Sequence, residues 1–339
     1  MPTDGDTTPS ARSPVSPTSA PALSVILPVP VRYGLVRRTI QHLRAQTIRH
    51  RLEILLIAPK GRAADVIQEE LEVFADARVI EVESGATITT CRCAGVREAR
   101  SPIIVFCEDH SFPVPHWAEA LVRRHQSGYA AVAPAFVNGN PGILSGADIF
   151  LSFGTWVAPL KGGEMPRLPW HNAAYKRDLL LAYGDRLPFT LEVETVLQDD
   201  LRAQGHRLYL ETDVQTHHVN FSRILPFLDE YYVSGRLFGG RRADAKQWSL
   251  LRRLVYVIGA PLIPIVRLPE VLGQMRRSGH SRTLLPRAIP FVLLGLLAHS
   301  IGEMIGYALG TGDAGVRKSL KEFDRARFVK ASDVQVLAP

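Results

Sequence analysis

The chain has 339 residues, 46% of them hydrophobic, a formal net charge of +7 and three cysteines. So few cysteines in so long a chain exclude a disulfide scaffold and fit a reducing compartment, while the apolar fraction suffices for one large domain plus an appendage. The positive charge calls for an anionic partner, yet there is no zinc-finger spacing and no RNA-binding signature, and few aromatics stand among the arginines; nucleic acid is set aside in favour of a phosphorylated substrate or an acidic membrane surface.

Residues 1–22 are rich in Pro, Ser and Thr, carry Asp4 and Asp6 and have no apolar core, so they read as a flexible tail and not a signal peptide. LSVILPV, from Leu23, reads as a buried strand. Val36, Ile40 and Leu43 then share a helical stripe within 33–46. LEILLIA (52–58) predicts a second strand, 63–75 a helix with Val66, Ile67, Leu71 and Phe74 apolar, and RVIEV (78–82) a third strand. A helix over 87–99, the strand SPIIVFC, a helix from Trp117 to His125 and the strand YAAVAPAF (129–136) follow. Strand alternating with helix is the rhythm of a mostly parallel sheet covered on both faces. Residues 194–204 predict a helix stopped by Gly205. The last third is apolar over 254–266, where two prolines interrupt it, and over 288–310, which is long enough to span a bilayer but carries His299 and Glu303. Arginines flank both segments, a pattern that suits anionic headgroups on a cytoplasmic face; a buried helical pair is the competing reading.

FCEDHSFP (106–113) places two carboxylates and an imidazole at the end of a buried strand. Ligands of open parallel sheets bind outside the carboxyl ends of the strands, and extended geometry would point Glu108 and His110 the same way. The pair is either a solvated strand end or a cation site. Cys91, Cys93 and His110 imitate a zinc site, but CxC is not the usual CxxC spacing.

The ordered motifs resemble the family 2 glycosyltransferases of the GT-A fold over roughly 23–240. They are SVILPV, HLRAQ, EILLI, CRCAGVREA, FCEDHSFPVPHW, HNAAYKR, DDLRAQGHRL and HHVN. Glu108-x-His110 stands where that family has its DxD, Cys93 where it has Asn, and Ala58-Pro59-Lys60 where its second strand ends in acids. The resemblance implies an inverting transfer of sugar from a nucleotide-diphosphate donor to a hydroxyl. It implies donor contacts at Pro28, Glu108 and Asp109; a metal-free alternative has Glu108 and His110 on donor hydroxyls and Arg92, Arg236, Arg241 and Arg242 as the candidates that neutralise the phosphates, since guanidinium forks match phosphate oxygens. The resemblance also implies a divalent cation on Glu108, His110 and His218, with His217 the alternative to His218. An imidazole ligand suits Mn²⁺ better than Mg²⁺. The base is expected in the acidic helix: Glu194, then Asp199 or Asp200. Trp170, His171 and Asn172 are expected to line the acceptor pocket, and the apolar tail suggests a lipid-linked or other envelope glycan at the cytoplasmic face of the cell membrane. The expected division is a tail (1–22), a GT-A-like domain (23–240) and a membrane-associated helical region (241–339). A non-catalytic sugar-nucleotide-binding scaffold is the alternative; a membrane carrier, which needs more than two spans, is a weaker one.

Overall fold

The computed structural model describes residues 20–29, 31–61, 65–169, 171–279 and 284–337. The expected tail thus falls almost wholly outside the described residues. Among them, nine strands form one sheet: β1 (Leu23–Pro28), β2 (Leu52–Pro59), β3 (Asp76–Val82), β4 (Ile103–Phe106), β5 (Ser111–Pro113), β6 (Ala131–Asn138), β7 (Gly163–Glu164), β8 (Ala174–Lys176) and β9 (Leu208–His218). The order is β3-β2-β1-β4-β8-β6-β9-β5, with β7 also on β9. β1, β2, β3 and β4 run parallel, as do β6 and β9; β8 is antiparallel to both β4 and β6.

The helices are α1 (Arg37–Arg44), α2 (Ile88–Glu98), α3 (Trp117–His125), α4 (Ile143–Phe153), α5 (Arg177–Leu181), α6 (Leu187–Glu192), α7 (Glu194–Ala203), α8 (Ile224–Ala245), α9 (Leu250–Gly259), α10 (Ile263–Arg277), α11 (Leu285–Leu309), α12 (Ala314–Glu322) and α13 (Ala331–Leu337). Successive side chains of a strand point to opposite faces, and β1 uses both. Val25 and Leu27 pack with Ile40, Leu43, Trp117 and Leu121 on one face, while Ile26 packs with Cys91, Val96 and Leu191 on the other. A strand buried on both sides is a continuous apolar run, which is why LSVILP carries no polar alternation beyond Ser24.

One expected element is corrected. The helix over 63–75 is instead a single 3₁₀ turn, Gln68–Glu70, ahead of β3. Glu70 is drawn inward to the Tyr33 hydroxyl (2.9 Å) and Arg37 (2.6 Å), and these tertiary bonds override the helical spacing of the apolar residues.

The prolines of the apolar tail do not break it. Pro261 and Pro264 fall in the first turn of a 3₁₀ segment and of α10, where a missing N–H costs little. Two helical stretches are therefore long and apolar enough to cross a membrane: Leu250–Arg277, with mean hydropathy 1.6, and Pro286–Leu309, with 1.7. Leu251, Ile258, Leu262, Ile265 and Val266 are more than half exposed.

α11 packs along α8 through glycines on both helices. A Cβ on Gly302 would meet the Tyr232 carbonyl and, at 2.8 Å, the Arg236 amide. One on Gly306 would meet the Arg236 carbonyl, and one on Gly235 the His299 carbonyl. Only hydrogen side chains allow backbones this close.

Candidate active site

The chain leaves β4 at Phe106 and turns at Asp109–His110, so Glu108 and His110 are not on an extended strand as expected. They converge all the same. β8 pairs antiparallel with β4, Val105 opposite Ala174. Continuing that register three residues beyond Val105 puts Glu108 opposite His171, and His171 Nδ1 lies 2.5 Å from Glu108 Oε1. Asn172 holds this approach: its backbone, at φ 60°, donates to the Phe106 carbonyl (3.1 Å), and its side chain donates to Ser111 Oγ (2.8 Å). β5 then runs antiparallel to β9 with Ser111 opposite His218, and the rings of His110 and His218 meet edge to face at 4.8 Å. The alternation of β9 buries His218 and exposes His217, which separates the two candidates.

Glu108, Asp109, His110, His171 and His218 are all buried, 0–6% exposed. Asp109 accepts a hydrogen bond from His110 Nδ1 at 2.5 Å, which leaves the lone pair on Nε2. His218 Nδ1 donates to Asn220 Oδ1 at 2.9 Å, while the Asn220 amide donates to Asn138; this again frees Nε2. Both Nε2 atoms face Glu108 Oε2, at 3.6 and 3.9 Å. Burial holds His218 well below the usual imidazole range, so it stays neutral. Burial opposes charge on Glu108, but His171 and His110 outweigh it and bring its pKa down to about 2. Burial likewise opposes charge on His171, and Glu108 and Glu322 outweigh it and raise the imidazole above its ordinary value.

The cluster is completed from the far end of the chain, which sequence reasoning missed. Glu322, on α12, lies 4.0 Å from His171 Nε2 and 3.9 Å from His110 Nε2. Arg325 donates from Nη2 to His110 Nε2 at 2.8 Å and from its backbone to Asp109 Oδ2 at 3.3 Å. Lys318 pairs with Glu230 of α8 (2.8 Å) and with Glu322 (3.5 Å). The block RKSLKEFDRARF (317–328) carries Lys318 and Glu322 four apart on one helix face, a local signal of a charged stripe but not of its destination.

A cavity of about 430 Å³ adjoins the cluster; it is lined by His171, His218, Glu322 and Arg325, and also by Arg267, Gln274 and His299 of the apolar helices. Asp148 of α4 lines it too, accepting from Phe221 N (2.7 Å) and the Tyr231 hydroxyl (2.6 Å), and burial pushes its pKa from 3.8 up to about 6. A carboxyl whose pKa is raised on folding keeps its proton preferentially in the folded chain. Its stabilising contribution is complete below about pH 4 and is lost as the pH rises through about 6. Asp148→Asn should therefore gain on wild type between pH 4 and 7, by roughly 2–3 kcal/mol. Thermal melts across that range check it, and a difference that stays flat with pH contradicts it.

The remaining predicted residues are dispersed. Pro28 ends β1 beside β4, and Arg92, 4% exposed, reaches His171 Nδ1 at 2.7 Å and packs over Phe106. A carboxylate and a guanidinium thus compete for one ring nitrogen of His171. Arg241 pairs with Glu192 and lies over Phe189, Arg236 bonds Gly310 and Asp313, and Arg242 stacks on Trp248 and Tyr256, all outside the cluster. Asp199 is gripped by Arg167 at 3.1 and 2.8 Å, and Asp200 accepts from the Tyr183 hydroxyl (2.7 Å) and Gln204. Glu194 is the first residue of α7, and its neighbour Thr195 lines the cavity. Trp170 lies outside the described residues. The three cysteines are free and buried; burial pushes Cys91 up to about 12, Cys93 to about 11 and Cys107 higher still, so none is a thiolate nucleophile or ligand at neutral pH.

Two triads bring ligand atoms within 4.8 Å of one another: Glu108, His110 and His218, and Glu108, His171 and Glu322. The first has the donor set of a divalent-cation site, in which a cation would displace the Arg325 Nη2 that now meets His110 Nε2. Neither Glu108 oxygen receives a well-directed hydrogen bond although both are buried, and each histidine is oriented through Nδ1 by a carboxylate or an amide, the support metal-binding imidazoles use.

The model of the family described as Glycosyl transferase family 2 matches residues 24–184, just under half of the chain, and that span holds FCEDHSFP and HNAAYKR. The crystal structure of S. aureus TarS is similar at 11% identity and a TM-score of 0.43, over 64% of this chain and 39% of that one. The crystal structure of GalNAc-T7 with UDP, GalNAc and Mn²⁺ is similar at 14% identity and a TM-score of 0.44, over 59% and 44%. The alignments therefore span less than half of either solved chain. No curated protein matches the sequence. The family match and the mixed, mostly parallel sheet with helices on both faces define a GT-A-like fold of the glycosyltransferase class. Within that class the chain resembles the family 2 enzymes.

Proposed function

We propose that the protein is an inverting glycosyltransferase, held at the cytoplasmic face of a membrane, that moves a sugar from a nucleotide-diphosphate donor to a hydroxyl of a lipid-linked or other envelope glycan. The observation that carries this reading is the buried Glu108–His110–His218 group beyond the carboxyl end of β4, whose His218 lines a cavity that the apolar helices also line. Glu108, His110 and His218 would hold a divalent cation, which when bound supplies Lewis-acid stabilisation of the leaving diphosphate. Asp109 and Asn220 keep the two imidazoles in the ligating tautomer. Glu194, at the start of α7 and next in sequence to the cavity-lining Thr195, is the proposed base. It takes the acceptor hydroxyl's proton as that oxygen bonds the anomeric carbon and the donor's carbon–oxygen bond breaks with its electron pair leaving on the diphosphate. Attack opposite the leaving group inverts the centre. Pro28, Arg92 and Asp109 border the donor side, and His171 and Asn172 the acceptor side. Arg267, on α10 just after exposed Ile265 and Val266, suits the phosphate of a lipid carrier whose apolar chain stays in the bilayer.

The test is thermal stability of the detergent-purified full chain against a panel of nucleotide-sugars, with Mn²⁺, Mg²⁺ or EDTA. A rise in melting temperature for one donor, lost with EDTA, is expected; no rise with any donor overturns the reading. Glu194→Gln should keep that rise while lowering kcat by about 10²–10⁴-fold. Binding without turnover in the wild type would favour the scaffold reading, whose support is the absence of acids at Ala58-Pro59-Lys60.

A further inference from the structure

We propose that Arg325, carried in by the segment after α12, is a diphosphate-binding residue of the donor pocket. This rests on the glycosyltransferase reading and adds to it a residue well outside the family-matched span 24–184. Arg325 is 3% exposed, its guanidinium lies 4.0 Å over the Phe221 ring, and it lines the cavity beside His171, His218 and Glu322. Nη2 is engaged by His110, and Glu322 stands 3.8 Å away. Nε and Nη1 are buried with no hydrogen-bond partner. Burying a cation with open donors is costly unless a ligand answers them. Both bidentate edges of a guanidinium contain Nη2, paired with Nε or with Nη1, and such an edge matches two phosphate oxygens as a fork, which a single ammonium cannot.

The other cations around the cluster are committed elsewhere. Lys318 serves Glu230 and Glu322, Arg167 grips Asp199, and Arg92 faces His171. Arg325 alone of these combines burial, a place on the cavity wall and open N–H groups. As the anomeric carbon–oxygen bond breaks, its electron pair passes to the terminal diphosphate oxygen, and these N–H groups stabilise the charge there. A cation that took over His110 Nε2 would release Nη2, the atom that completes a fork with either open group.

The experiment is calorimetric binding of UDP, GDP, ADP and CDP and of the matching monophosphates to the full chain in detergent, for wild type, Arg325→Gln and Arg325→Lys, with melting temperature as the fold control. For the preferred base, wild type should bind the diphosphate at least tenfold tighter than the monophosphate. Both variants should lose that preference by about tenfold while their monophosphate affinity stays within twofold. Lysine retains charge and length but not the fork, so it decides the matter if the glutamine variant does not fold. Diphosphate affinity within twofold of wild type in either folded variant overturns the proposal and leaves the glycosyltransferase reading standing. No nucleotide binding by wild type removes that reading, and this proposal with it.

Discussion

Glu108→Gln should abolish glycosyl transfer, lowering kcat by at least about a hundredfold, the scale on which a buried charge aimed at a developing transition-state charge acts. The substitution preserves shape and removes only the ionisable oxygen. That oxygen faces His110 Nε2 at 3.6 Å and His218 Nε2 at 3.9 Å, and its partner oxygen faces His171 at 2.5 Å. The folded chain holds the carboxyl ionised, since burial is outweighed by the two histidines beside it. The carboxylate's contribution to stability is present above the ordinary carboxyl range and lost only as the pH falls toward 2. The glutamine variant should therefore melt below wild type at pH 7, and the gap should narrow at acidic pH. Initial-rate kinetics with the donor found in the thermal panel, together with melts at pH 7 and pH 4, check both parts. Activity within threefold of wild type would remove Glu108 from the chemistry.

The second large effect is structural. Gly302→Val drives a branched side chain into the Tyr232 carbonyl and the Arg236 amide, both backbone atoms that cannot rotate away. The α8–α11 crossing must open, at a cost above about 3 kcal/mol, equivalent to a fall of roughly 6–12 °C in melting temperature. Gly273, inside α10, has nothing within 4 Å of its missing Cβ. Gly273→Ala should therefore be neutral or stabilise by about 0.5–1 kcal/mol through helix propensity. Differential scanning fluorimetry of the two variants side by side separates close backbone packing from a general intolerance of the apolar helices. Equal behaviour of the pair would refute the crossing.

Much of the sheet is legible because each strand is a short apolar run of β-prone residues between turn signals, and LSVILP, LEILLIAP and IIVF carry that pattern without help from tertiary contacts. The motif at the end of β4 is legible for the same reason: a buried strand that stops on Glu-Asp-His is locally anomalous. Choosing His218 over His217 requires the phase of β9, which burial sets. Placing His171 against Glu108 requires the antiparallel register of β8, and nothing local announces that a three-residue strand pairs there. Glu322 and Arg325 are beyond local reading altogether. Their charges follow an apolar helix, where they read as the solvated flank of a membrane segment, and no periodicity links them to a strand end more than two hundred residues earlier. Asp199 and Asp200 illustrate the converse. An acidic pair on a helix is conspicuous in sequence, yet Arg167 and Tyr183 already account for both carboxylates.

The ion cluster that joins α12 to the end of β4 also sets an order of events during synthesis. When a ribosome has made the sheet and α8, Glu230 lacks Lys318 and Lys321, the positive groups that pair with it in the finished chain. A buried acid without its counter-charge is strongly destabilising, so this stretch of α8 does not settle until the chain has doubled back and brought in α12. Completion of the buried cluster and packing of α12 then become one event, and a chain stopped before α12 lacks the Glu322 and Arg325 side of that cluster.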